Sequence, residues 1–162
     1  MVIYMKDYTN RIMDKVLKYE LEAFGAVLIT GPKWCGKTTT AKQVAQSILY
    51  MQDPDRKESY LTLAGIQPSK LLEGEKPRLI DEWQMAPQLW DAVRFDVDMK
   101  NETGLYILTG STTVDESKIS HSGAGRISRI QMRTMSLFES LDSNGSVSLE
   151  ELFNKKHEID GN

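Results

Sequence analysis

Apolar residues recur along this chain at two spacings, and their alternation predicts its architecture. From about residue 7 to residue 24, Ile12, Val16, Leu17, Leu21 and Phe24 recur at helical spacing with charges opposite, and Gly25 ends the segment. Ala26-Val27-Leu28-Ile29-Thr30 follows as a continuous apolar run, the pattern of a strand buried on both faces. Beyond a glycine-bounded loop, Ala41, Val44, Ala45, Ile48 and Leu49 predict a helix ending near Met51. A charged turn at Asp53-Pro54-Asp55 then precedes a predicted strand, Tyr60-Leu61-Thr62-Leu63. A short helix is expected from Pro68 to Leu72, and a further strand at Arg78-Leu79-Ile80.

Pro87 suits the first turn of a helix whose apolar side is Leu89, Trp90, Val93 and Val97. Leu105 to Thr109 is a strand by composition, and Ile127 to Met132 a weaker one after a small-residue loop from Ser120 to Gly125. In the tail, Ser143-Asn144-Gly145 reads as a turn, Ser146 to Leu149 as an edge strand, and Leu149 to Lys156 as a short helix. Short apolar runs alternating with amphipathic helices predict an α/β fold, a parallel sheet with helices on both faces.

Composition narrows the setting. The chain has 162 residues, enough for one domain, with 40% hydrophobic and 27% charged residues, a globular balance. A formal net charge of −3 gives no electrostatic reason to expect non-specific binding to nucleic acid or acidic membranes. Cys35 is the single cysteine, so an internal disulfide is excluded and a reducing compartment is expected. No apolar run approaches the roughly 20 residues that span a bilayer, and the start is charged too soon for a signal peptide. A cytoplasmic location, without a membrane partner, is the expectation.

Chemistry enters at Gly31-Pro32-Lys33-Trp34-Cys35-Gly36-Lys37-Thr38, which fits G-x-x-x-x-G-K-[ST] at every fixed position. Gly31 and Gly36 permit dihedrals and close approaches that a Cβ obstructs, letting backbone amides line an anion-binding hollow. Lys37 brings a full positive charge to the terminal phosphates, and Thr38 a hydroxyl for Mg²⁺. The pattern follows a predicted strand and opens a predicted helix, the context that separates it from a chance match. Within the loop, Trp34 is expected to pack against neighbouring side chains, and Cys35 to be a small inert residue.

Leu79-Ile80-Asp81-Glu82 places two acids at the carboxyl end of a strand, the rim where ligands gather in open parallel sheets. Asp81 is expected to hold Mg²⁺, and Glu82 to orient and polarise an attacking water. Trp83 and Gln84 carry no expected catalytic role. Thr109-Gly110-Ser111 offers hydroxyls at the next strand end, either for the water and γ-phosphate or for turn geometry alone. Arg126, ahead of the last strand, is a candidate to stabilise transferred charge in the same subunit or across an interface, with Arg129 and Arg133 as competitors. His121 reads as a loop residue.

With these blocks in place, the chain resembles a prokaryotic family of AAA-type P-loop ATPases, in the ATP-binding N-terminal domain of longer proteins that end in a domain of unknown function. The resemblance rests on Phe24 to Val27 leading into Gly31 through Thr38, Thr39, Thr40 and Ala41. It continues through Pro77 to Gln84, Ile107 to Ser111, His121 to Ile127 and Met135 to Glu139. It implies a three-layer sandwich with a five-stranded parallel sheet, an extra strand standing between the Walker A and Walker B strands. It also implies Gly31 to Thr39 as the ATP contacts, Asp81 and Glu82 as Walker B, Thr109 to Ser111 as a sensor, and Arg126 as the arginine-finger candidate. Residues 1–141 are then the ATPase core with its N-terminal helix. Residues 142–162 are an extension cut before a helical lid.

ATP hydrolysis with Mg²⁺ is the leading expectation. A non-hydrolysing ATP switch acting on a protein partner, a nucleic-acid-linked ATPase and a small-molecule kinase are the alternatives. A homo-oligomer is compatible with each, and the preference for ATP over GTP rests on the resemblance.

Overall fold

The computed structural model describes residues 8–111 and 123–154. Its larger compact unit, Ile12–Thr134, is built on a parallel sheet of β1 (Ala26–Thr30), β2 (Ser47–Tyr50), β3 (Arg78–Asp81), β4 (Tyr106–Gly110) and β5 (Ile127–Gln131). The strands lie in the order β2-β3-β4-β1-β5. Although β3 and β4 follow β1 in the chain, β4 is the strand inserted between β1 and β3. Ile29 pairs with Thr109, and Thr109 pairs with Asp81, so one row crosses the sheet at its carboxyl end.

Side chains of a strand alternate between faces, and two cores form accordingly. Val27, Ile29, Leu79 and Ile107 pack on one face with Leu17 and Leu21 of α1 (Ile12–Ala23) and Ala41 of α2 (Lys37–Lys42). Ala26, Leu28, Ile80 and Leu108 pack on the other with Ala64 of α3 (Lys57–Ile66) and Leu89, Trp90 and Val93 of α4 (Gln88–Lys100). The result is the expected helix–sheet–helix sandwich. At about 25 cal/mol per Å² of apolar surface buried, this two-sided burial is the main favourable term in folding.

Two stretches differ from the periodicity reading. The helix expected to run to Met51 stops at Lys42, and Ser47–Tyr50 form β2 instead. That run pairs in parallel with β3, from Ser47 against Arg78 to Tyr50 against Asp81, which satisfies backbone groups along an otherwise open sheet edge. Conversely, Tyr60-Leu61-Thr62-Leu63 lies inside α3. Ala64 is buried there, Tyr60, Leu61 and Leu63 pack against the core, and the Thr62 hydroxyl donates to the Glu58 carbonyl at 2.9 Å, one turn back. On α1, Leu17 and Leu21 are buried while Ile12 and Val16 are exposed, so its core stripe is narrower than the sequence pattern.

A second compact unit takes in residues 8–11 and 135–154. The Glu139 carboxylate receives Arg11 Nε at 3.0 Å, and both side chains are buried. It also receives the Ser136 backbone N–H at 2.8 Å, while the Glu139 N–H donates to the Ser136 hydroxyl at 3.2 Å. This Ser-x-x-Glu reciprocity is a capping box. Where an edge strand was expected over 146–149, residues 146–148 are irregular, and α5 (Leu149–Phe153) forms where a short helix was expected. His121 and the residues beyond 154 lie outside the described residues.

Candidate functional site

Strand β1 ends at the carboxyl rim and the chain turns sharply back into α2. Gly31 at φ 155° and Gly36 at φ 98° lie in backbone territory that favours glycine. A Cβ on Gly31 would come within 2.3 Å of the Met132 carbonyl oxygen, so a strand from the far end of the chain forms one wall of the loop. Met132 is fixed there by its own N–H, which donates to the Thr30 carbonyl at 2.7 Å. Cys35 is buried, with Sγ 3.8 Å from that same Met132 carbonyl.

The Lys37 side chain is buried, and its ammonium donates to the carbonyls of Gly31 and Pro32, each at 3.0 Å. An ammonium has three N–H donors, so this arrangement holds the charge across the mouth of the loop with one donor left over. Trp34 overturns its expected packing. It is 94% exposed and takes φ 68°. Pro32, Lys33 and Thr39 are exposed as well.

Asp81 joins three elements at one oxygen. Its Oδ1 accepts the Thr38 hydroxyl at 2.6 Å from the start of α2 and the Thr109 hydroxyl at 2.7 Å from β4. Hydrogen bonds to an ionised acceptor are roughly twice as strong as neutral ones, so this clasp is a substantial tie across the rim. Thr109 is fully buried, and its oxygen in turn accepts the Glu82 backbone N–H at 3.2 Å. Its hydroxyl proton is therefore committed to Asp81, and its role in this arrangement is to bind β3 to β4. Ser111 stands just beyond Gly110 on the same rim.

Glu82 leaves the sheet at φ 57° and ψ 47°, a left-handed conformation costing a residue with a Cβ about 1–2 kcal/mol. Its Oε2 accepts a short hydrogen bond from the Gln84 side-chain amide, in the turn Trp83–Met85. Sequence reading passed over Gln84 because a contact two residues away inside a tight turn leaves no periodic signal.

Arg126 is not part of this assembly. It precedes β5 at the amino ends of the strands, where its carbonyl accepts the Ala26 N–H at 3.1 Å, and its Nε pairs with Asp98 Oδ1 at 2.6 Å. The hydrogen bond from Arg126 holds the Asp98 carboxyl below its usual range. Arg126 thus stands on the rim opposite the Gly31–Thr38 loop of its own subunit. Arg129 points its guanidinium at the Trp90 ring, 5.3 Å away, and Arg133 is the arginine that follows Met132 at the carboxyl rim.

The amino rim has chemistry of a different kind. A cleft of about 320 Å³ there is lined by Asp98, Asn101, Glu102 and Arg126, away from Asp81. Nearby, Lys76 Nζ sits 3.6 Å from the centre of the Tyr106 ring and donates to the Leu72 carbonyl at 2.8 Å. Burial, helped by the charge of Lys100, lowers its pKa to about 8. Burial also works to raise Asp96, but hydrogen bonds from Lys100 and Tyr106 outweigh it and hold that carboxyl below its ordinary value.

Among the described residues no helix is long and apolar enough to cross a membrane. Compared with protein-family models, residues 23–141 match the one described as an AAA domain. No curated protein matches the chain.

Proposed function

Because this chain belongs to the AAA domain family, we propose that it binds ATP with Mg²⁺ at the phosphate loop and hydrolyses it with Glu82. The observation that carries the proposal is the convergence of Thr38, Asp81 and Thr109 on one carboxylate oxygen, next to a lysine already spanning the loop. Thr38, Asp81 and Thr109 are far apart in sequence, and these hydrogen bonds join them beside the loop of residues 31–38.

Each side chain has a part. Lys37 spends two N–H groups on its own loop and offers the third to a phosphate oxygen. Thr38 and Asp81 supply adjacent hard oxygen donors, the type Mg²⁺ accepts while keeping waters and phosphate oxygens as its other ligands. When bound, the ion neutralises charge on the transferred phosphoryl group. Glu82, held by the Gln84 amide, accepts the proton of the attacking water. Arg126 belongs in this scheme only as a group offered to another copy of the chain.

Phosphate release by the native chain and Glu82→Gln tests the reading. The variant is expected to lose turnover by about 10²-fold or more while keeping its ATP-dependent rise in melting temperature. Equal turnover in the two sinks the role of Glu82. Binding without turnover in the native chain assigns it instead to a nucleotide-controlled switch.

A further inference from the structure

We propose that Gln84 is the positioning residue of the Glu82 carboxylate, held in place by a frame made of Gly110 and Trp83. This rests on the reading of Glu82 as the group that activates water. A carboxylate only accepts hydrogen bonds, so the Gln84 amide presents its NH₂ to Glu82 Oε2. Oε1 is left as the acceptor for water. A neutral donor suits the task, because a lysine or arginine there would quench the basicity that the step needs.

The frame is visible in what surrounds the amide. Gly110 ends β4 beside Thr109, and a Cβ on it would lie 2.8 Å from Gln84 Oε1 and 3.1 Å from Trp83 Nε1. A Cβ at 110 would therefore push the Gln84 amide and the Trp83 indole from where they sit. Trp83 is 1% exposed, and its indole N–H and the Gln84 side-chain carbonyl are buried with no hydrogen-bond partner among the described residues. Leaving such groups unpaired costs about 1–3 kcal/mol each, so the amide is not there for stability alone. The backbone adds to the same end. Glu82 is held in its left-handed conformation by the N–H donated to Thr109, and its side chain by the amide from Gln84. Carboxylate and backbone of one residue are thus pinned separately, the first by its own turn and the second by the middle strand.

Two measurements test the proposal. The first reads the pairing without nucleotide: the ¹H–¹⁵N side-chain amide resonances of Gln84 in the full chain. One amide proton is expected well downfield of its geminal partner, and Glu82→Ala is expected to collapse that separation. An unchanged amide pair in Glu82→Ala overturns the proposal. The second is a kinetic cycle of native, Gln84→Ala, Glu82→Gln and the double variant. Gln84→Ala is expected to lower kcat about 10- to 100-fold with KM within about twofold, and to have no further effect once Glu82 is replaced. Gly110→Ala, whose methyl meets the Gln84 amide and the Trp83 indole first, is expected to reproduce the kcat loss. Full kcat in Gln84→Ala, or an equal loss in the Glu82→Gln background, also overturns the proposal. Absence of turnover in the native chain counts against hydrolysis, and the amide spectrum then decides the pairing by itself.

Discussion

Replacing Thr109 by valine tests the clasp at the carboxyl rim most directly, because it removes one oxygen and keeps the branched shape. In the native chain that oxygen donates to Asp81 at 2.7 Å and accepts the Glu82 N–H at 3.2 Å, with the side chain fully buried. A hydrogen bond to an ionised group contributes about 1.5–3 kcal/mol, and a buried backbone N–H left without a partner costs about 1–3 kcal/mol. Burying a methyl in place of the hydroxyl offsets part of the sum, about 1 kcal/mol. The expected loss is therefore about 1.5–5 kcal/mol, a large share of the roughly 5–15 kcal/mol that keeps a domain folded.

Urea unfolding at pH 7 measures it, with Thr109→Ser as the control that restores the oxygen. Thermal melting is expected to fall by about 10 °C in the valine variant, at roughly 4 °C per kcal/mol for a unit of this size. Thr38→Val gives the contrast. It deletes a hydroxyl that donates to the same Asp81 oxygen but accepts no buried N–H, so its loss is expected to be smaller, about 1 kcal/mol. If Thr109→Val lies within 1 kcal/mol of native, or Thr109→Ser is as unstable as the valine form, the clasp does not hold the rim together and the reasoning fails.

Two further outcomes follow from charged groups on the two rims. ATP at about 100 times its Kd stabilises the native chain by roughly 2.7 kcal/mol, and Lys37→Ala is expected to erase that shift; a persisting shift means the triphosphate binds elsewhere. On the amino rim, Lys76 titrates near 8 when folded and near 10.5 when unfolded. Below the lower value it is charged in both states, and between the two the unfolded chain holds the extra proton, so stability rises with pH across that window. The shift amounts to about 3 kcal/mol, which partial exposure screens to about 1–2 kcal/mol. Lys76→Met is expected to remove that rise between pH 8 and 10 in denaturant titrations, and an unaltered slope assigns it to other groups.

How much of this was legible in the sequence depended on where each structural decision is made. The run at Ala26–Thr30, the phosphate loop and the acids after Ile80 announce themselves through local pattern, because strand burial and loop chemistry are local demands. Ser47–Tyr50 and Tyr60–Leu63 do not. A four-residue apolar run fits either helix or strand, and the choice was made by the open edge of β3 in one case and by packing against the core in the other. Met132 and Gln84 were equally silent. One acts through a backbone carbonyl that any residue carries, the other through a turn that begins with a left-handed glutamate. Arg126 shows the reverse, since a residue just before a parallel strand must stand at the amino rim, and strand direction sets it apart from the Gly31–Thr38 loop.

The sheet order explains why the middle strand matters as much as the loop itself. Neighbouring strands stand about 4.8 Å apart, so inserting β4 between β1 and β3 sets the loop strand and the acid strand roughly 10 Å from each other. Asp81 meets Thr38 over the end of β4, and whatever occupies that end must be small enough to pass beneath the contact and polar enough to satisfy it. Thr109 meets both demands with one hydroxyl shared between the Asp81 carboxylate and the Glu82 N–H. Gly110 meets the first by having no side chain where Trp83 and Gln84 crowd in. A bulkier or wholly apolar pair at these positions leaves the phosphate loop intact in sequence yet separates it from its acids. A glycine-lysine-threonine motif is therefore insufficient for this site unless the strand between the loop and the acids ends as β4 does.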